Sequence, residues 1–312
     1  MTRWCQRSST TLQTVSKVAE SATALPKLVG RGIAMMLLAN LLFSFVDTST
    51  KWLIGTGLVA VQLAFMRYAM HFAMTLVEQG WRIKSRVSLS WRLRGMVLFR
   101  AFCLVSATMA NFTAIAHLPL SVTSAILFLA PVFVCLFAKP MLGEVITARH
   151  WGGLAIGFCG VLLILWPFGA PINWYAVLMI YPAAAMALYQ VMTKKLSGVV
   201  ATDVLQLYTG ALGTAALLPI ALFIWVSPDS ALGWVLMCAI GVFAWAGHEV
   251  LTRAHAHADA STLAPMAYSF VIYLSLAGWI FFGEVPTLNV AIGALVIFAA
   301  AMFAWRGTSR AR

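Results

Sequence analysis

The chain has 312 residues, of which 62% are hydrophobic and only 10% charged, and its mean hydropathy is +0.90. Too few polar residues remain to cover a soluble domain of this size, so the composition excludes a water-soluble globule and predicts an all-α integral membrane protein. The formal net charge is +12, but the basic residues flank apolar segments instead of forming one patch, which points to membrane orientation and excludes nucleic acid as a partner.

Residues 1–30 are Ser/Thr-rich, basic and nearly free of acids, which predicts a disordered cytoplasmic tail; an organelle transit peptide is the alternative. Beyond them, a hydrocarbon core about 30 Å thick asks for roughly 20 apolar residues per helix. Ten windows qualify: 33–53, 58–77, 96–116, 121–138, 151–166, 173–193, 204–226, 231–251, 261–282 and 286–305. Short connections make consecutive spans antiparallel neighbours in one bundle. Residues 306–312 form a second cytoplasmic tail. No cleavable signal pattern precedes the first window, so that span itself serves as the insertion signal.

Lys and Arg fix the direction. Arg3, Arg7, Lys17, Lys27 and Arg31 precede the first window, Arg82, Lys84, Arg86, Arg92 and Arg94 follow the second, and Lys139, Arg149, Lys194, Lys195, Arg253, Arg306, Arg310 and Arg312 fall on the same side. The alternate turns hold none. Positive residues stay in the cytoplasm, so both termini are cytoplasmic and each half of the chain has five spans.

The two halves are also related in sequence. Ala114, Ala116, His117, Ser121, Leu136, Gly143, Glu144, Val145, Thr147, Gly153 and Phe158 recur 140 positions later, and Thr50, Lys51, Leu53 and Gly55 recur 143 positions later. An odd number of spans per copy inverts the second copy, and inverted repeats are the usual build of secondary transporters with a site near the bilayer midplane. The repeats occupy 31–168 and 173–305. A carboxylate in the first turn of a helix meets unsatisfied N–H groups, so Glu144 and Glu284 are expected to cap spans five and ten. Gly153 and Gly157 give a G-x-x-x-G spacing that suits close helix packing, dimerisation included.

With the repeated Gly-Glu-Val motifs and Ala64-Phe65-Met66-Arg67-Tyr68 in span two, the chain resembles the EamA-type drug/metabolite transporter superfamily over residues 31–305. The resemblance implies a monomeric or homodimeric carrier of the bacterial inner membrane. It alternates access to a cavity lined by spans one to four and six to nine. Within the superfamily the chain is similar, more distantly, to bacterial riboflavin importers; other relatives carry amino acids, purines, S-adenosylmethionine or drugs.

An ionisable group at mid-span costs roughly 2.5–3.5 kcal/mol and needs a partner or a cavity. Asp47 and Arg67, at similar depth in consecutive spans, are expected to pair, as scaffold or as substrate contacts. Gln190 occupies the Asp47 position of the second repeat. Arg100 is read as snorkelling to the headgroups, and His71, His248 and Glu249 as shallow, with Glu249 paired to Arg253 at i,i+4. Asn40, Ser44 and Asp47 share one helical face, which puts span one at the cavity. Asn111, Tyr189, Gln190, Tyr208, Trp245 and Tyr268 complete the expected substrate site with Arg67. Pro131, Pro182, Pro219 and Pro265 are candidate kinks.

His255, His257 and Asp259 form an H-x-H-x-D run, but with no further ligand cluster it is read as a turn, and no metal or cofactor is expected. Five dispersed cysteines point to neither disulfides nor metal. The chain carries no G-x-S-x-G, H-E-x-x-H or Walker-type loop, so it is read as a non-enzyme; a channel or a non-transporting scaffold is the remaining competitor.

Overall fold

The computed structural model describes residues 2–79, 89–115, 126–127, 129–164 and 174–283 and scattered positions between 288 and 303, with side chains from Leu28 onward. The described elements are α1 (Thr2–Gly55), α2 (Ala60–Gln79), α3 (Trp91–Ile115), α4 (Ala130–Leu142), α5 (Ala148–Ile164), α6 (Trp174–Leu178), α7 (Ile180–Leu196), α8 (Thr202–Phe223), α9 (Ala231–His257), α10 (Ala260–Leu263), a 3-10 turn (Ala264–Tyr268) and α11 (Ser269–Phe282). There is no strand among them. Among the described residues, five stretches are long and apolar enough to cross a membrane: Leu28–Gly55, Trp91–Ala114, Thr202–Phe223, Ala231–His257 and Ala260–Phe282, with Ala130–Leu142 a shorter apolar helix.

Local sequence sets the ends. Gly143 and Gly283 adopt left-handed φ values of 71° and 68°, and their N–H groups return to Lys139 O (3.1 Å) and Trp279 O (3.2 Å), which stops α4 and α11. The repeated Gly-Glu-Val motif is therefore first a helix stop. Pro265 lies in the 3-10 turn that breaks the ninth window, and Pro219 lies inside α8. Pro131 and Pro182 instead sit in the first turns of α4 and α7. The backbone of α1 is helical back to Thr2, where the composition predicts disorder. Once a span is nucleated, each further residue adds a hydrogen bond without a new nucleation cost, and Ala, Leu, Lys and Glu in this segment favour propagation.

The distribution of polarity is that of a membrane protein. Many large exposed side chains are apolar, among them Phe99, Phe102, Leu222, Phe223, Val235, Ile280 and Phe281, while Arg100, His71, Gln62, Gln206, Thr193 and Thr209 are fully buried. Lipid outside and polar partners inside make that arrangement favourable.

Helices pack between the halves more than within them. α1 lies along α9, α3 along α7, α2 against both α8 and α9, α8 against α3, α1 against α11, and α4 against α7. Exchanging α1 with α7, α2 with α8, α3 with α9 and α4 with α11 leaves this pattern unchanged. The expected pairing of consecutive spans is corrected here, because α1 and α2 barely meet. Glycines decide the partners. A Cβ at Gly210 would come within 2.8 Å of Phe72 Cα, and one at Gly241 within 3.0 Å of Met66 O, so α8 and α9 both close onto the backbone of α2.

Candidate functional site

The centre of the described bundle is held by Arg100, whose side chain is 0% exposed. Its Nε donates to Thr193 Oγ1 at 2.8 Å, Nη1 to Thr209 Oγ1 at 2.9 Å and Leu205 O at 3.2 Å, and Nη2 to the Tyr189 hydroxyl at 2.9 Å and Thr252 Oγ1 at 3.4 Å. The guanidinium also stacks 4.4 Å from the Tyr189 ring centre. The snorkelling expected of Arg100 is thus corrected. α3 begins at Trp91, so Arg100 lies nine residues in, about 14 Å along the axis, too deep to reach a headgroup.

Arg67 on α2 is bound to the same core through His248. Arg67 Nη2 donates to His248 Nε2 at 3.1 Å, and His248 Nδ1 lies 2.9 Å from the Tyr189 hydroxyl. An arginine can only donate, so His248 Nε2 must accept and Nδ1 carries the proton. Tyr189 oxygen then accepts from His248 on one side and from Arg100 on the other, and its own hydrogen is available to a third acceptor. The chain Arg67–His248–Tyr189–Arg100 spans α2, α9, α7 and α3. His248, 1% exposed, and His71, 0% exposed, are not shallow as the apolar windows implied, because α9 continues to His257 and α2 to Gln79. The His71 ring lies tilted beside His248, with ring centres 5.7 Å apart, and Phe43 lies tilted against His248 at 4.7 Å.

The expected Asp47–Arg67 ion pair does not form. Asp47 is half-buried, Arg67 acts on it only through space, and the guanidinium turns to His248 instead. α1 packs along α9, not α2, which carries Asp47 away from its sequence neighbour. Asn40 Nδ2 donates to Met266 O at 2.9 Å and Ser269 Oγ at 3.0 Å, tying α1 to the broken ninth window. Ser44 is buried and bonds its own helix at Leu41 O, 2.7 Å away. Asn111 Oδ1 and Trp245 Nε1 are buried without hydrogen-bond partners, and Gln190 is buried.

Two further expected site residues lie elsewhere. Tyr208 packs against Val97, Leu196 and Leu205, and Tyr268 packs on Gly157 with its hydroxyl donating to Leu154 O at 3.3 Å. Gly157 therefore serves a contact inside the chain. An apolar groove of about 220 Å³, lined by Leu129, Val132, Trp151, Leu154, Ala155 and Phe158, has no polar group to orient a metabolite.

Glu144 caps a helix, but not the expected one. Its Oε1 accepts from Ala260 N at 3.0 Å, and its Oε2 from Ser261 N at 3.0 Å and from the Ser261 hydroxyl at 2.6 Å, so it caps α10 in the other repeat. The start of α5 is already served by His150, whose Nδ1 accepts from Thr147 N at 3.1 Å. Glu284 lies outside the described residues. Glu249 does pair with Arg253, at 2.7 Å. Lys194 Nζ donates to His255 O at 3.0 Å and Ala258 O at 2.8 Å at the end of α9, with Asp259 3.7 Å away. Asp259 of the H-x-H-x-D run is thus held by Lys194, and among the described residues no group of three or more His, Cys, Asp or Glu is placed to hold a metal.

A helical bundle with an apolar exterior, two exchangeable halves and a hydrogen-bonded polar centre defines a polytopic membrane protein. The chain belongs to the EamA-like transporter family, whose profile matches it twice, at residues 30–166 and 173–306. It is 31% identical to the pseudopaline exporter of Pseudomonas aeruginosa, over 87% of this chain and 95% of that protein. It is 28% identical to a riboflavin transporter of Rhizobium johnstonii, over 89% and 92%. A solved crystal structure shares the fold, with a TM-score of 0.72 over 88% of this chain and 96% of that one, at 21% identity.

Proposed function

We propose that the chain is a secondary transporter of the bacterial inner membrane, with ten spans in two inverted repeats and both termini cytoplasmic, which moves a small metabolite by alternating access. The observation that carries this reading is the buried polar chain from Arg67 through His248 and Tyr189 to Arg100, which joins helices of both halves inside an apolar bundle. Polar groups at such depth are costly to keep and mark substrate pathways. Riboflavin uptake is the first activity to assay, supported by the similarity to a riboflavin transporter and by Phe43 and Tyr189 around His248. Export is the second reading, supported by the similarity to the pseudopaline exporter. Amino acids, purines, S-adenosylmethionine and drugs remain further substrates to assay.

Purified protein in liposomes should show saturable flux that accelerates with substrate on the far side. Flux that neither saturates nor accelerates identifies a channel, and no flux across the panel removes the carrier reading. A reporter active only in the cytoplasm, fused after Arg312, should be active; silence overturns the orientation and the inversion drawn from it.

A further inference from the structure

Arg100 and Arg67 are both buried cations, yet their surroundings differ in kind. Arg100 is saturated, with all three guanidinium nitrogens bonded to neutral acceptors. Arg67 is not. It is 8% exposed, among the described residues it makes a single hydrogen bond, through Nη2, and its Nε is buried without a partner there. The position of that one bond keeps the guanidinium oriented, since His248 is itself held by Tyr189. The chain therefore presents a fixed, planar donor group with most of its hydrogens unused.

The charge balance runs the same way. Glu249 is taken by Arg253. Asp47 couples to Arg67 through space, and the two form no ion pair. Arg67 and Arg100 against Asp47 leave the described centre with a net positive charge whichever protonation state Asp47 takes. The neighbouring groups do not compensate, because His248 spends its acceptor on Arg67 and Tyr189 spends its oxygen on two donors. A guanidinium with free parallel N–H groups matches a carboxylate in geometry as well as charge.

We infer that Arg67, oriented by His248 and Tyr189, is the anchor for a carboxylate group on the transported molecule. This inference rests on the carrier reading above and narrows its substrate to an anionic metabolite. Riboflavin is uncharged at neutral pH and leaves the Arg67 charge unmatched, so the site chemistry favours a carboxylate-bearing compound over it. Arg100 is excluded as the anchor, because its donors are already used.

The test takes the full chain, purified in detergent, and a bacterial metabolite extract split on an anion-exchange resin, with riboflavin added to the unretained fraction. The retained fraction should raise the thermal midpoint of the wild type by several degrees, and phosphatase treatment of that fraction should leave the rise intact, which separates carboxylates from phosphate esters. In Arg67→Gln the rise should vanish. Should that variant fail to fold, Arg67→Lys keeps the cation, loses the planar fork and should need at least tenfold more of the fraction for the same rise. The inference is overturned if only the unretained fraction stabilises, if neither does, if phosphatase abolishes the effect, or if folded Arg67→Gln or Arg67→Lys responds like the wild type. Counterflow in proteoliposomes separates the two claims: saturable exchange of an uncharged compound alone keeps the carrier and removes the anion site, whereas anion stabilisation without exchange keeps the site and removes the carrier.

Discussion

The interface of α3 with α7 and α8 and the interface of α9 with α1 and α2 are counterparts under exchange of the two halves, yet the hydrogen bonds of Arg100 fill the centre of the first, whereas in the second an apolar centre lies beside the Arg67–His248 bond. Their rims match. Val97, Leu196 and Leu205 cluster at the first, and Met237, Leu53 and Leu63 at the second. Their centres do not. The repeat registers of 140 and 143 residues place Ile240 where Arg100 stands and Val46 where Tyr189 stands, and both are fully or almost fully buried in apolar contact. Duplication fixed the helix packing, and substitution then gave each interface its own chemistry. A carrier that opens its two faces in turn has to separate interfaces of this kind alternately. Under the proposed alternating access, opening at the first breaks the Arg100 hydrogen bonds, while opening at the second breaks the Arg67–His248 bond and exposes Val46, Ile240 and Ala244.

The most severe way to break the comparison is to make the apolar centre resemble the polar one. Ile240→Arg puts a cation among Val46, Leu63 and Ala244 with no acceptor, and an uncompensated buried charge costs about 3–5 kcal/mol. Little folded protein should be recovered by size-exclusion chromatography. Recovery at wild-type yield would show that the α9 interface admits water or partners, and the contrast would be lost. The reciprocal Arg100→Met should cost less, about 2–3 kcal/mol. Thr193, Thr209 and Thr252 already donate to their own helices at Tyr189 O, Leu205 O and His248 O, so only some acceptors are stranded. A detergent melt should register a lowered midpoint for this variant, with folded protein still recoverable.

Much of this was legible in the chain, and what was not has a common cause. Duplication, the apolar exterior and the Glu249–Arg253 pair follow from composition, register and i,i+4 spacing, which are local properties. Depth was misjudged wherever a helix outruns its apolar window. α3 starts at Trp91 and α9 ends at His257, so Arg100 and His248 are core residues although hydropathy puts them near the edges. Partners were misjudged wherever packing joins distant helices, as with Arg67 and His248, 181 positions apart. A signal existed for part of this. Tyr189 and Thr193 one turn apart on α7, and Thr209 on α8, form a stripe of hydroxyls facing one helix, which is the surface an embedded arginine requires. Tyr208 and Tyr268 looked equivalent to Tyr189 in sequence, and only the packing separates them.

A smaller effect tests the glycine contacts that both interfaces share through α2. Gly241→Ala brings a Cβ within 3.0 Å of Met66 O and 3.1 Å of Arg67 O, backbone atoms that cannot rotate away. Overpacking of this kind costs about 1–3 kcal/mol. Gly95→Ala is the control, since nothing lies within 4 Å of a Cβ there. If Gly241→Ala melts with Gly95→Ala and the wild type, α9 does not sit on the α2 backbone, and the pattern of contacts between the halves loses one of its glycine supports.

The smallest effect concerns the cap that one repeat supplies to the other. Glu144→Gln keeps the shape but leaves one oxygen for three donors, Ala260 N, Ser261 N and the Ser261 hydroxyl, and sets an amide N–H₂ against one of them. Loss of a helix cap costs about 0.5–2 kcal/mol, which for a chain of this size is a few degrees in the melt. Ser261→Ala removes only the 2.6 Å hydroxyl contact and should cost less. In the double variant the two losses should fall short of their sum, because they share that contact. Full additivity would mean that Glu144 and Ser261 act separately, and the carboxylate would then return to the role the sequence suggested, as a cap on α5 within its own repeat.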